Sequence, residues 1–319
     1  MSKKENESFI SVVLPTIGQS SFLEIALRSV LDQRESKFEV IVCNDAKDEL
    51  HADRVFELVN QMSDPRIRCI RTKKRGVSNA RNEGIYAAAG AVIALIDDDD
   101  LWHKSKLIKQ LGLIECGEQF VIANYNVTFE QEVLTINEEN VAHRKEVFPA
   151  TLHCNFRPPS CWMFTKEVFL ETGPFNESYT HCEDKEFALR ASKKFGLFFQ
   201  NEILVSYRKH SESVSMNFSS SAGFNKRLVD DFWKDFVRYP AEGVVQLQHS
   251  YKVGVKGELS STRYTAISAV ISSRARFGAK ILLLMRIFTY SKKRGLIDTF
   301  WVLVSRAASM LRVKTAYSD

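Results

Sequence analysis

Short apolar runs recur through the first hundred residues, and each is followed by a segment whose apolar positions return every three or four residues. "FISVVLP" (9–15), "FEVIVCND" (38–45), "RIRCIR" (66–71) and "AVIALI" (91–96) have the length and β-rich composition of buried strands. The segments at about 21–33, 52–62 and 77–89 read as helices. Strands alternating with helices predict a parallel sheet covered on both faces, and in such sheets ligands bind beyond the carboxyl ends of the strands. Three of those ends carry Thr16, Asp45 and Asp97. From about 119 to 165 the pattern becomes shorter and strand-like ("QFVIANYNVTF", "SCWMFT"). A helix is predicted over about 183–195, with Phe187, Ala188, Ala191 and Phe195 on one face, and strands then lead to "LVSYRKH" (204–210). From about 222 onward the chain reads as helical and basic.

The fourth apolar run ends in four consecutive carboxylates, Asp97, Asp98, Asp99 and Asp100. Adjacent carboxylates repel one another, and burial raises the cost of each charge. A divalent cation would turn that repulsion into coordination. A solvated loop before a helix would account for one or two of the four, because the helix dipole favours acidic residues there.

Composition narrows the class. The chain has 319 residues, of which 45% are hydrophobic and 26% charged, the balance of a globular protein without low-complexity segments. Its six cysteines are scattered, without CxxC pairs or zinc-type spacing, and read as idle thiols in a reducing compartment. The polar start "MSKKENESF" lacks the apolar centre of a signal peptide, and no window approaches 18 uncharged apolar residues. The expectation is a cytoplasmic protein that does not span a membrane. Net charge is +5 and unevenly spread. Residues 226–319 hold 17 Lys+Arg against 7 Asp+Glu, whereas residues 1–225 hold 27 against 32, so two parts with different partners are expected.

The ordered set "VVLPT", "EVIVCNDA", "RGVSNARNEG", "ALIDDDDLWHKSKL", "TGPFNESYTHCEDKEFALR" and "YRKH" resembles the family-2 glycosyltransferases, inverting enzymes of the GT-A fold, over about residues 9–215. The resemblance implies an α/β, Rossmann-like, mostly parallel central sheet flanked by helices: a catalytic domain over 1–220 and a basic helical extension over 221–319. It implies a sugar nucleotide as donor, a UDP-sugar in first place, with Mn²⁺ or Mg²⁺ on its diphosphate. A D-x-D element then falls on Asp97 and Asp99, with Asp98 beside the donor and Asp99 as metal ligand. Asp45 would meet the nucleotide base, Thr16 would lie next to it through its backbone, and Arg81 would contact base or phosphate. Asn44 departs from the family, where an aspartate often stands, but keeps an acceptor. Glu183–Asp184 matches the family's E-D pair, which makes Asp184 the catalytic base and gives Glu183 a part in acceptor binding or geometry. Arg208 would meet phosphate and His210 would complete the metal's coordination.

The acceptor implied is a glycan or lipid-linked glycan, in bacterial cell-surface polysaccharide or lipopolysaccharide synthesis. The tail adds a membrane expectation. Leu296, Ile297, Phe300, Trp301, Val304, Ala307, Ala308 and Leu311 fall on one helical face, and Lys292, Lys293 and Arg294 precede it. Residues 292–313 therefore read either as an interfacial helix at the inner face of the cell membrane or as a helix packed on the catalytic domain. Nucleic acid is not expected, because aromatic stacking positions among the basic residues are sparse. Two other functions stay open. One is a nucleotidyltransferase on a related fold, although "PTIGQSSF" lacks that class's basic, glycine-rich loop. The other is a non-catalytic, membrane-associated scaffold that has kept the fold.

Overall fold

Four parallel strands form one half of the sheet: β1 (Ile10–Thr16), β2 (Phe38–Asn44), β3 (Ile67–Arg71) and β4 (Val92–Leu95), in the order β3-β2-β1-β4. Their linking helices are α1 (Leu23–Leu31), α2 (Glu49–Met62) and α3 (Val77–Ala87). The computed structural model describes residues 9–35, 37–129, 132–134, 143–153 and 156–210, together with 227, 228, 231, 232 and 235. The chain divides into two units, residues 1–151 with 155–216, and residues 152–154 with 217–319. The tail helix expected over 292–313 lies outside the described residues. Among the described residues no helix is long and apolar enough to cross a membrane.

Burial follows the sequence periodicity. In α1 the buried residues are Leu23, Ala26, Leu27 and Val30, the i, i+3, i+4, i+7 stripe of a helix with one face on a sheet. α2 begins at an N-cap, where the Asp48 side chain accepts the His51 N–H at 3.0 Å. Gly84 lets α3 lie close on the sheet: a Cβ there would meet Cys43 Sγ and a Val13 methyl, each at 2.5 Å. This close approach carries Arg81, one turn earlier in α3, to the end of β4.

The second half of the sheet is mixed. Its elements are β5 (Leu101–Trp102), α4 (Lys106–Glu115), β6 (Phe120–Phe129), β7 (Glu132–Leu134), β8 (Arg144–Glu146), β9 (Trp162–Thr165), α5 (Lys166–Thr172), α6 (Glu183–Ser192) and β10 (Leu197–Lys209). The full order is β3-β2-β1-β4-β9-β6-β10-β5, with β7 on β6 and β8 on β10. β9 is antiparallel to both β4 and β6, while β10 is parallel to β6, so β6 and β10 run the same way as β1–β4. β10 is one strand where the sequence suggested several, and it is irregular. From Phe199 to Val205 it takes six residue steps while β6 takes three, from Ile122 to Tyr125.

The pivot of the core is Phe187 on α6. Its ring stacks on Phe175 at 4.2 Å and lies within 6.4 Å of the Phe120, Trp162, Phe164 and Phe169 rings. Aromatic pairs of this kind contribute about 0.5–1.5 kcal/mol each beyond their buried area. They fix α6, and with it Glu183 and Asp184. Arg190 secures the preceding loop by pairing with Glu186 and donating to the carbonyls of Thr172 and Pro174.

α4 was not apparent from periodicity because two polar residues, Lys106 and Gln110, occupy its buried face beside Leu107 and Leu111. Lys106 Nζ donates to Gln110 Oε1 and sits 4.0 Å from the centre of the Trp102 ring. Burial lowers its pKa to about 7. The folded state therefore binds fewer protons than the unfolded chain between about pH 7 and the ordinary lysine range, and stability rises with pH across that window. The burial penalty on the ammonium is fully present below pH 7. Lys106→Met should remove this dependence. Between pH 7 and 10 the wild type should gain about 2–4 kcal/mol relative to the variant, reduced by whatever the Trp102 face contributes to the charged form. Denaturant titrations at the two pH values test this, and parallel stabilities would contradict it.

Candidate functional site

The carboxyl ends of β1, β2 and β4 lie side by side because the strands are parallel and in register, with Thr16 opposite Asn44 and Val13 opposite Leu95. Beyond β4 the chain makes a turn, closed by the Asp100 N–H donating to the Asp97 carbonyl at 3.2 Å. The four consecutive carboxylates have four different surroundings.

Asp97 Oδ1 accepts from Arg81 Nη2 at 2.7 Å, and its N–H donates to Ser160 Oγ at 3.0 Å. Asp98 Oδ2 accepts from the Thr16 hydroxyl at 2.5 Å. Burial pushes the Asp98 carboxyl up to about 7; the Thr16 hydrogen bond opposes the rise and the neighbouring Asp99 and Asp97 add to it. Asp99 Oδ2 lies 3.0 Å from His210 Nε2, and the Asp99 carbonyl accepts from Arg208 Nε at 3.0 Å. Burial and then the charge of Asp97 raise the Asp99 pKa, with His210 acting against them. Asp100 is fully buried; Oδ2 accepts from the Ser160 hydroxyl and Oδ1 from the Arg208 N–H at 2.9 Å. Burial, then the charges of Asp99 and Asp97, hold its pKa well above the usual carboxylate range.

Arg81 is only 3% exposed and spans two carboxylates: Nη2 reaches Asp97 and Nη1 reaches Glu183 Oε1 at 2.8 Å. Burial works against its charge, but Asp97 and Glu183 outweigh it and raise its pKa. Both terminal nitrogens thus hold the protein together, which differs from the direct nucleotide contact expected of Arg81 from sequence. Its neighbours on α3 do similar work. Asn82 exchanges two hydrogen bonds with the backbone of Phe175, and Ser78 donates to the Tyr179 carbonyl. α3 therefore grips the loop that leads into α6.

α6 opens with Glu183 and Asp184 at the positive end of the helix dipole. The residue before them, Cys182, has a left-handed backbone (φ 60°), which turns the chain into the helix. Glu183 is tied to Arg81, whereas Asp184 Oδ1 accepts only the adjacent Lys185 N–H at 2.8 Å, and among the described residues Asp184 enters no ion pair. Asp45 Oδ1 accepts from the Thr72 hydroxyl at 2.9 Å and Oδ2 from the Gly76 N–H at 2.8 Å, which leaves further lone pairs on both oxygens. Asn44 is a structural residue: it donates to the Ala52 carbonyl and accepts from the Ala46 N–H and Arg71. The acceptor it was expected to keep for a ligand is thus engaged within the fold. The Thr16 carbonyl, expected beside the base, accepts the Asp45 N–H at 2.8 Å. Arg208 and His210 both lie on the Phe22 ring, at 4.1 and 5.4 Å.

Thr16, Arg81, Asp97, Asp98, Asp99, Glu183, Arg208 and His210 are thereby linked by direct contacts at one sheet edge, and Asp45 joins them through the Thr16 backbone. Ser160 lies in "RPPSCW", outside any recognised motif, and nothing local singles it out. No group of three or more His, Cys, Asp or Glu side chains suited to a metal converges among the described residues. Asp99 with His210 offers one carboxylate oxygen and one imidazole nitrogen. That mixed donor set is of a kind that fits a divalent ion, and the two residues alone would leave its other positions to other ligands.

Similarity to known proteins bears on this arrangement. The Glycosyl transferase family 2 description matches residues 11–173. The chain is 26% identical over 258 residues to UDP-Glc:alpha-D-GlcNAc-diphosphoundecaprenol beta-1,3-glucosyltransferase WfgD of Escherichia coli, covering 79% of this chain and 95% of that protein. Its fold is similar to that of S. aureus TarS 1-349 in complex with UDP-GlcNAc (TM-score 0.59, 13% identity, 86% of this chain and 81% of that one). It is also similar to the mannosyltransferase PcManGT from Pyrobaculum calidifontis in complex with GDP-Man and Mn2+ (TM-score 0.57, 14% identity, 97% and 87%). Of the three functions open from sequence, the transfer of a sugar is the one these similarities support. The family description covers half the chain, including β1, β2, β4 and the Asp97–Asp100 turn, and this protein belongs to glycosyltransferase family 2, with the GT-A fold.

Proposed function

We propose that the protein transfers a sugar, with inversion, from a UDP-sugar to a hydroxyl of a lipid-linked glycan, with Mn²⁺ or Mg²⁺ at the donor diphosphate. The observation that carries this reading is the division of the site. Asp99 and His210 face one another at the end of β4, and at the start of α6 the Asp184 carboxylate enters no ion pair among the described residues. Arg81 ties the two regions together through Asp97 and Glu183. The UDP donor and the acceptor on a polyprenyl diphosphate are suggested by the name of the E. coli relative, and an acceptor of that kind suits bacterial cell-surface polysaccharide synthesis.

Each residue then has a task. Asp45 accepts a hydrogen bond from the base, beside Thr16. Asp97, oriented by Arg81, and Asp98, oriented by the Thr16 hydroxyl, line the donor's ribose. Asp99 and His210 would hold the ion, and Arg208 adds positive charge near the departing diphosphate. The ion supplies charge neutralisation for the leaving group. Asp184 takes the acceptor hydroxyl's proton as its oxygen attacks the anomeric carbon from the face opposite the diphosphate. Glu183 fixes the first turn of α6. The catalytic domain is proposed to span 1–220, with residues 221–319 as a basic extension whose segment 292–313 either meets the membrane or packs on the catalytic domain.

Asp99→Ala tests the donor half. Calorimetry with UDP should show an affinity that rises on adding Mn²⁺ in the wild type and does not in the variant. Equal Mn²⁺ dependence in both would sink the assignment. Incubating the wild type with a panel of sugar nucleotides and following slow hydrolysis identifies the donor.

A further inference from the structure

Asp100 is the one member of the carboxylate quartet that the proposed chemistry does not use, and it is fully buried. Its partners connect three parts of the chain. Ser160, in the short turn Pro159–Cys161 before β9, donates its hydroxyl proton to Asp100 Oδ2 and accepts the Asp97 N–H at 3.0 Å on the same oxygen. One hydroxyl thus holds both ends of the Asp97–Asp100 turn. The other Asp100 oxygen accepts the Arg208 N–H at 2.9 Å, which fixes the end of β10 two residues before His210.

Ser160 is itself held firmly. Its carbonyl accepts from Trp102 Nε1 at 2.9 Å, the next carbonyl, of Cys161, accepts from Gln110 Nε2 at 3.0 Å, and the Cys161 N–H closes the turn on Pro158 at 2.9 Å. Ser160, like Asp100, is fully buried, so water cannot replace its hydroxyl without rearrangement. A side chain at this place must donate and accept at once, which a hydroxyl does and an aliphatic group does not.

We infer that Ser160 is a positioning residue for the donor site: through Asp100 it sets the Asp97–Asp99 turn against the end of β10, and so sets the separation of Asp99 from His210. The inference rests on the reading of Asp99 and His210 as the metal pair. Loss of the hydroxyl frees the Asp97 N–H and one Asp100 oxygen inside the turn, and the pair no longer meets in one geometry. The loss should fall on metal-dependent binding. Asp45, after β2, makes no direct contact with Ser160 or Asp100 and is reached only through Thr16 and Asp98, so the base side should change far less.

The test is UDP binding by calorimetry, with and without Mn²⁺, on the full chain. Ser160→Ala should weaken metal-free UDP binding by a few-fold at most, through the ribose side of the turn, while the gain from Mn²⁺ falls about tenfold or more, the size expected when a group that orients metal ligands is removed. Ser160→Thr keeps the hydroxyl and should retain most of the Mn²⁺ gain. Asp100→Asn is the independent variant and should also lose that gain, and combined with Ser160→Ala it should add little further, because the two act as one unit. If Ser160→Ala does not fold, Asp100→Asn decides: loss of the Mn²⁺ gain supports the inference and its retention overturns it. If the wild type shows the Mn²⁺ gain, Asp99→Ala loses it and Ser160→Ala keeps it, the metal reading stands and the role of Ser160 is overturned. If the wild type shows no Mn²⁺ gain, the metal reading itself fails and this inference falls with it.

Discussion

Replacing Asp184 with asparagine is expected to leave UDP affinity within about twofold of the wild type and to lower sugar transfer by about 10²–10⁴-fold, the usual contribution of a general base. The amide keeps the size of the side chain and its hydrogen bond with the Lys185 N–H. It cannot take a proton at neutral pH. Asp184 rather than Glu183 is the base on this view because Glu183 is already bound to the buried Arg81 cation. Burial raises the Glu183 pKa although Arg81 opposes the rise, so the distinction is one of engagement: Glu183 Oε1 is occupied by the guanidinium and holds α6, whereas the Asp184 carboxylate is bound only to a neighbouring N–H. Steady-state kinetics alongside nucleotide titration separates the two effects. More than a tenth of wild-type turnover in Asp184→Asn would move the base elsewhere.

The largest expected change in stability comes from Arg81→Met. It leaves Glu183 and Asp97 with uncompensated charge where the guanidinium was, and breaking a buried pair from one side costs about 3–5 kcal/mol. The side chain of Asp97 is 26% exposed, so water offsets part of the loss on that side. For a domain of this size the melting temperature should fall by about 6–20 °C. Adding Glu183→Gln to the variant should recover part of the loss, since the orphaned buried charge is then gone. A fall below about 1 kcal/mol, within the range of an exposed pair, would mean that the Arg81 bridge contributes little.

The first half of the fold was legible because its strands and helices obey a simple rule. Val12, Val13, Leu14, Val40, Ile41 and Val42 are all fully buried, so the strands read as unbroken apolar runs. The second half was harder. α4 hides a lysine and a glutamine on its inner face, and β5 has only two residues, too few for any period. The site shows the same division. Residues carried on motif-bearing strand ends and helix starts, such as Asp45, Asp97, Asp99 and Asp184, could be named. What each one touches could not, because partners such as Arg81 with Glu183 are 102 positions apart in the chain. Asn44 illustrates the point: an amide at a strand end reads as a ligand group, and only its three contacts reveal a fold-holding role. Ser160 carries no local signal, since a serine before a strand is ordinary and its importance lies in its contacts with Asp97 and Asp100.

The surplus of residues in β10 has a bearing on changes in chain length. Between Phe199 and Val205 the strand gains three residues on its partner, an odd number, so the faces presented before and after the irregular stretch are exchanged relative to β6. Arg208 and His210 owe their facing to that exchange. Loss of a single residue near Ile203, a side chain 43% exposed and with little packing of its own, would restore the opposite parity. Lys209 would then stand where Arg208 meets Asp100, and the imidazole would leave the side of the strand that reaches Asp99. A substitution at Ile203 alters one exposed side chain, whereas a deletion there inverts every position downstream. The site at the end of β10 thus constrains the strand's length more tightly than the identity of its exposed side chains.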